Sequence, residues 1–153
     1  MSLVEITRQR QRLDDLFQKA RNLPDAEIQS HWSRYLCVLI SGFLENSVRI
    51  TYAECARKRA DSSVADFVES RLRQFQNPKM GTILDLAGGF NQDWRRQLEI
   101  DTNGRLGESV NSIVGNRHKI AHGESVVLTL HSLLQYYGDA LRVVDLLRQQ
   151  CGL

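Results

Sequence analysis

The residues best suited to chemistry lie in one short stretch, from Val114 to Glu124, which reads VGNRHKIAHGE. Within six positions it contains Arg117, His118, Lys119 and His122. A guanidinium stays charged at any working pH, whereas an imidazole can change its protonation state near neutrality. This combination can hold an anionic phosphate and move protons beside it, so it favours chemistry on a phosphate ester.

The spacing of these residues limits how they can act together if the segment is helical. At about 100° per residue, Arg117 and His122 point roughly 140° apart, whereas His118 and His122 share one face. Arg117 and His122 can therefore converge only if the helix ends between them, or if a second copy of the chain supplies one of them. Gly123 is expected to end the helix, because glycine adopts the left-handed conformation without steric cost. His122 would then lie in the last turn, where the helix dipole favours its protonated form.

The arrangement of Arg117, four intervening residues and His122, followed by Gly123, resembles the Arg-x4-6-His motif of the HEPN superfamily. These are all-helical nucleases and nuclease-like proteins of prokaryotic defence and toxin systems. Three upstream landmarks are similar to the subgroup called RiboL-PSP-HEPN: Phe43-Leu44-Glu45, the stretch from Phe75 to Lys79, and Asp93-Trp94. The resemblance covers roughly residues 30 to 148.

The resemblance implies a homodimer in which two motif helices pack together and form a composite cleft that contains both histidines. It also implies that an acidic or polar residue of the second helix supports the Arg-His pair, which in this chain would be Glu45. His118 occupies the position after the arginine, where family members usually carry Asn, Asp or His, so we expect it to orient the pair or contact phosphate. Lys119 is a further supporting candidate.

The residue types suit cleavage of RNA without a metal or a cofactor. Such cleavage needs a base for the 2′-hydroxyl proton, an acid for the departing 5′-oxygen, and positive charge for the phosphorane between them. We expect His122 to act as acid or base and Arg117 to hold the phosphate, since a guanidinium offers paired donors to phosphate oxygens. The products would end in a 2′,3′-cyclic phosphate and a 5′-hydroxyl.

Glu45 has a simpler alternative role. It sits between apolar neighbours, and a buried acid must be paired, so we expect it to meet Arg117, His122 or the partner chain. An ordinary ion pair with Arg49, four residues further along the same helix, is the alternative.

The apolar residues recur at helical spacing along most of the chain, and no convincing strand pattern appears. We predict an all-α bundle of five to seven helices in one domain, residues 1–153. The second helix, from about Ala26 to Arg59, is predicted to be long and central, because its apolar residues span more than one narrow stripe. Asp25 is its predicted N-cap.

Local signals in the middle of the chain predict where the shorter helices begin and end. Ser63 to Asp66 has the pattern of a capping box for a third helix that ends near Phe75. Asn77 is predicted to cap a short helix with Pro78 at its first position, and the pair Gly88-Gly89 is predicted to end it. Asn91 is predicted to cap the next helix.

Composition places further bounds on the function. The 153 residues carry a formal net charge of +2, with 42% hydrophobic and 25% charged residues, which is typical of an ordinary globular domain. The three cysteines have no paired metal-type spacing, and together with the missing signal-peptide pattern they favour a cytoplasmic protein. The longest apolar stretch, from Tyr35 to Leu44, is too short to span a membrane. The near balance of charge means that any RNA-binding surface must come from local clustering.

Two alternatives to a nuclease stay open. His118 and His122 have a metal-compatible spacing, but Lys119 stands where a zinc protease would carry Glu, and no Cys or Asp cluster completes the site. The stronger alternative is a catalytically silent HEPN-like dimer that binds RNA or protein, in which Arg117 pairs with a carboxylate and the histidines cap a helix end.

A cognate antitoxin or defence-system partner is possible. In HEPN toxins that a nucleotidyltransferase silences, a tyrosine two residues after the histidine is modified, and here that position is Glu124. That form of neutralisation is therefore not expected for this chain.

Overall fold

A computed structural model describes residues 2–153, and all regular secondary structure in this range is helical. The seven helices found there are α1 (Leu3–Arg21), α2 (Ala26–Arg59), α3 (Ser62–Leu72), α4 (Met80–Phe90), α5 (Gln92–Thr102), α6 (Arg105–Ala121) and α7 (Leu130–Cys151). The prediction of an all-α bundle of five to seven helices is confirmed.

Helix α2 is the centre of the bundle, as predicted, and it packs against α1, α3, α6 and α7. Its N-terminus is set by Asp25, whose side chain accepts hydrogen bonds from the backbone N–H groups of Glu27 and Ile28. Buried residues occur on several sides of this helix, so most of its length is covered. Its predicted bounds are confirmed at both ends.

Helices α1, α2 and α7 meet around the buried side chain of Tyr137. Its ring stacks on Phe17 of α1 with centroids 5.1 Å apart, and meets Phe43 of α2 edge to face at 6.4 Å. Its hydroxyl donates a hydrogen bond of 2.8 Å to Asp14, so the one polar atom of the ring is satisfied. This contact holds α7 in the bundle, and α7 in turn packs along α6.

The predictions for α3 and for the start of α4 are partly wrong. Asp61 caps α3, by accepting from the backbone N–H of Ser63, so the capping box at Ser63 does not form. Helix α4 begins at Met80 instead of Pro78, because the backbone of Lys79 is still extended, with ψ of 154°, so Asn77 does not cap this helix as predicted.

The prediction that Gly88-Gly89 ends α4 is also wrong, because the helix continues to Phe90. The ring of Phe90 stacks on buried Tyr52 with centroids 4.8 Å apart, and this packing holds the last turn in helical form. Asn91 then caps α5 as predicted, accepting from the N–H groups of Asp93 and Trp94. None of the helices in residues 2–153 is long and apolar enough to cross a membrane.

Candidate active site

The end of α6 has the geometry that glycine was expected to produce. The N–H of His122 still donates to the carbonyl of His118 at 3.1 Å, while Gly123 has a left-handed φ of 70°. The N–H of Gly123 donates to Ile120 at 3.1 Å, and the N–H of Glu124 donates to Lys119 at 2.9 Å. These two bonds form a Schellman motif, so His122 follows the last helical residue directly.

The two histidines of the motif are close neighbours. The rings of His118 and His122 have centroids 4.3 Å apart with an angle of 58° between their planes, and both side chains are exposed. Their shared helix face was expected from the spacing of four residues. Two exposed imidazoles at this separation can reach the same small group.

Arg117 is exposed and, within residues 2–153, no carboxylate lies within ion-pair distance of it. Residues Arg117 through Ala121 are helical, and His122, which follows them directly, still donates its N–H to the carbonyl of His118, so the backbone does not turn away between the arginine and His122. Their side chains therefore leave the helix in directions about 140° apart. One of the two ways in which they could converge is thereby removed.

A polar groove of about 720 Å³ opens beside the motif. One wall is the face of α6 that carries Val114, Gly115, His118 and Lys119, and the other is the segment before and within the start of α4. That second wall contributes Gln76, Asn77, Lys79 and Thr82, and Glu124 closes the groove at the end of α6. The groove thus places His118 and Lys119, but neither Arg117 nor His122, opposite a second polar segment.

Glu45 pairs with Arg49, which is the simpler of the two possibilities drawn from the sequence. Oε1 of Glu45 lies 3.0 Å from Nη2 of Arg49, and Oε2 accepts a hydrogen bond of 3.2 Å from the backbone N–H of Asn77. Arg49 also donates through Nε to the carbonyl of Phe75 at 2.9 Å. The expectation that Glu45 meets Arg117 or His122 within one chain is therefore not met. Glu45 instead holds the segment that forms the second groove wall.

Helix α6 is anchored to its neighbours by polar contacts on its buried side. The hydroxyl of Ser109 donates a hydrogen bond of 2.6 Å to Oδ2 of Asp139 on α7, and both residues are buried. Burial raises the pKa of the Cys37 thiol on α2 to about 11, so it stays protonated and donates to the carbonyl of Ile113 at 3.5 Å. Asn111 accepts from the N–H of Met80 at 2.9 Å, which joins α6 to the start of α4. The motif residues therefore project from a fixed helix.

Sequence reasoning did not select Lys79, Gln76 or Thr82 as site residues. The stretch from Phe75 to Lys79 carries part of the family resemblance, and Gln76, Asn77 and Lys79 within it line the groove. Its closeness to α6 depends on contacts between residues more than thirty positions apart, such as Glu45 with Asn77, which no local pattern reveals.

A family model described as RiboL-PSP-HEPN matches residues 4–152, which is nearly the whole chain. The chain belongs to the RiboL-PSP-HEPN family. The resemblance drawn from Arg117, His122 and the upstream landmarks is thus confirmed at the level of the family. No match was found among curated proteins or among solved structures.

HEPN domains are commonly ribonucleases or proteins with nucleotide-related roles, and they often bind RNA and dimerise. In this HEPN protein the only ring close to His122 among the aromatic contacts of residues 2–153 is that of His118. No group of three or more His, Cys, Asp or Glu residues in that range is placed to hold a metal ion. The motif therefore consists of two neighbouring imidazoles, an unpaired guanidinium and an ammonium.

Proposed function

We propose that this HEPN protein is a metal-independent endoribonuclease whose site forms between two copies of the chain. The observation that carries the proposal is that Arg117, His118 and His122 are exposed together at the end of α6, and that Arg117 has no carboxylate partner within residues 2–153. In the silent alternative, Arg117 would pair with a carboxylate. Exposed cations without a structural partner are instead available to a phosphate.

In the proposed reaction, one imidazole removes the proton of the 2′-hydroxyl, whose oxygen then attacks the adjacent phosphorus. The bond from phosphorus to the 5′-oxygen breaks, and an imidazolium protonates that oxygen as it leaves. Arg117 stabilises the negative charge of the phosphorane through paired N–H donors. The products carry a 2′,3′-cyclic phosphate and a 5′-hydroxyl. His122 is the proposed acid or base, and His118 the residue that orients it or contacts the phosphate.

The divergence of Arg117 and His122 supports a homodimer. Since α6 stays helical between them, one chain does not aim both side chains at one atom. Two motif helices packed against each other would place the arginine of one copy near the histidine of the other. Because the subunits of a symmetric dimer are equivalent, the cleft would then contain both pairs.

The biological setting that we propose is a prokaryotic toxin–antitoxin or anti-phage defence system, acting on RNA in the cytoplasm. Family membership supports this setting. A cognate antitoxin or defence-system partner would act by occlusion or on another residue, since Glu124 stands where modified toxins carry tyrosine.

The experiment compares purified wild-type protein with the Arg117→Ala/His122→Ala variant on mixed cellular RNA in EDTA, followed by analysis of the fragment ends. A matched control is Arg21→Ala/His131→Ala, which removes the same two residue types from exposed positions on α1 and α7. We expect cleavage by the wild type and the control only, with cyclic phosphate ends.

Two outcomes would contradict the proposal. Cleavage that EDTA abolishes would indicate metal-assisted hydrolysis. A folded dimer that cuts neither tRNA nor RNA from phage-infected cells would indicate a silent module that binds RNA or protein.

A further inference from the structure

The groove beside the motif contains an unusual share of the chain's ammonium groups. The sequence has four lysines, Lys19, Lys58, Lys79 and Lys119, and two of them, Lys79 and Lys119, line this one groove from its two walls. Both are exposed, and neither makes an ion pair within residues 2–153. Their charges are therefore available to a ligand.

The groove wall that carries Lys79 is held in place by residues beneath it. Asn77 is the one non-glycine residue in the described range with positive φ, at 52°, a conformation that asparagine adopts more readily than most residues with a side chain. The contacts that hold the wall come from Glu45, which accepts from the N–H of Asn77, and from Arg49, which donates to the carbonyl of Phe75. Glu45 and Arg49 are themselves only 26% and 19% exposed at their side chains.

The ion pair between Glu45 and Arg49 lies within α2, and both side chains also bind the backbone of the segment between α3 and α4. It fixes both flanks of Gln76, and Lys79 follows at once, with its own N–H donating to the carbonyl of Asn77 at 2.7 Å. The position of Lys79 opposite α6 is therefore fixed from two sides, by Glu45 of α2 through Asn77 and by Asn111 of α6 through the N–H of Met80.

The charges and polar groups of the groove indicate what it can bind. Lys79 and Lys119 face a single carboxylate, Glu124, so the groove favours an anion. The amides of Gln76 and Asn77 and the hydroxyl of Thr82 supply donors and acceptors along the same wall. Lysines suit phosphate, and amides suit base edges, which RNA exposes in single strands and largely hides in A-form duplexes.

We infer that this groove binds the single-stranded RNA segment next to the scissile phosphate, with Lys79 and Lys119 on its phosphates and Glu45 as a positioning residue for Lys79. The inference rests on the proposed function, because the groove leads to the imidazole pair through His118. It assigns substrate binding to the segment from Gln76 to Thr82, which lies outside the Arg-x4-6-His motif.

Binding is tested apart from cleavage. A fluorescein-labelled single-stranded RNA is titrated by anisotropy with His122→Ala protein, in which the proposed chemistry is disabled. Lys79→Ala and Lys119→Ala are added singly and together, and Lys19→Ala on α1 is the matched control for loss of one exposed ammonium. Each measurement is repeated from about 50 to 200 mM salt.

We expect each substitution of a groove lysine by alanine to reduce the magnitude of the slope of log affinity against log salt by about 0.7, the value for one phosphate contact on a single strand. If the affinities of variant and parent become equal at 1 M salt, this difference in slope corresponds to a roughly fivefold loss of affinity per lysine at 0.1 M salt. The double variant should lose about 1.4 in slope, and Lys19→Ala should change neither quantity. Unchanged slopes in the groove variants would overturn the inference, as would equally strong competition by duplex RNA.

The role of Glu45 has its own readout. Glu45→Ala should weaken RNA binding in the parent protein but add nothing once Lys79→Ala is present, whereas its effect should persist beside Lys119→Ala. A loss that is independent of Lys79 would mean that Glu45 only stabilises the fold. Glu45→Gln keeps an acceptor for the N–H of Asn77, so it is the matched control and should bind RNA more tightly than Glu45→Ala.

Failure of the groove and failure of the nuclease give different results. If the wild type cleaves RNA and the lysine variants bind as tightly as the parent, the groove assignment is wrong and the nuclease stands. If the lysine variants lose binding but the wild type never cleaves, the groove is an RNA site of a silent module and the nuclease is wrong.

Discussion

Two glycines, one inside α6 and one just after it, should respond in opposite directions to the same substitution, and this tests the geometry on which the site depends. Gly123 has φ of 70° at the Schellman end of the helix, whereas Gly115 lies in the helix interior, two residues before Arg117. A Cβ added at either position would have no atom within 4 Å. Steric collision is therefore removed from the comparison, and only backbone conformation differs.

The expected magnitudes follow from that difference. An alanine held in the left-handed region costs about 1–2 kcal/mol, partly offset by the smaller entropy of the unfolded chain, so Gly123→Ala should lower the free energy of unfolding by roughly 1 kcal/mol. Gly115→Ala should raise it by about 0.5–1 kcal/mol, because alanine is the better helix former. Gly123→Asn should cost less than Gly123→Ala, since asparagine tolerates the left-handed region.

The assay is thermal denaturation at a single protein concentration, because the stability of a dimer depends on its concentration. For a chain of this size, 1 kcal/mol corresponds to about 2–4 °C in Tm, so the two alanine variants should be separated by several degrees. If Gly123→Ala is neutral or stabilising, then α6 continues through residue 123. The placement of His122 at the helix end would then be refuted.

Two further predictions concern the interior. The hydrogen bond with Cys151, followed by the nearby Arg59, lowers the pKa of the Cys55 thiol to about 7. The folded state therefore favours the thiolate, which stabilises the protein above pH 7, and this stabilisation is lost as the pH falls through 7. The free energy of unfolding should therefore rise by about 1 kcal/mol from pH 6 to pH 8. Cys55→Ser should abolish this rise and Cys37→Ala should leave it unchanged. A rise that persists in Cys55→Ser would contradict the assignment to Cys55. Ser109→Ala should cost about 1–3 kcal/mol, because it leaves a buried oxygen of Asp139 unpaired. The Ser109→Ala/Asp139→Ala double variant should lose less free energy of unfolding than the sum of the losses of the two single variants. If denaturation shows that the two losses simply add, the two side chains do not stabilise each other.

Several features of the protein were determined by short segments of sequence. Asp25 and Asn91 cap their helices, and Gly123 ends α6, because each acts on backbone groups within a few residues of itself. The long apolar pattern of α2 likewise needed no knowledge of its neighbours. The spacing of four residues was enough to place His118 and His122 on one face.

Other features were decided only by tertiary structure. Gly88 and Gly89 favour a helix end, yet the stacking of Phe90 on Tyr52, thirty-eight positions away, keeps that segment helical. The apolar neighbours of Glu45 predict that it is paired, but they do not predict its contact with Asn77, because that residue approaches only when the segment after α3 folds back along α2.

The candidate site divides in the same way. The motif, Arg117 with two histidines, lies within eleven consecutive residues, so helical geometry alone is enough to predict which of its side chains share a face. The groove that accompanies it joins Lys79 to Lys119, forty positions apart in the chain, and exists because α4 is tied to α6 through Met80 and Asn111. Local hydrogen bonds can be inferred from neighbours in sequence, whereas a surface between two segments arises only when the core has brought them together.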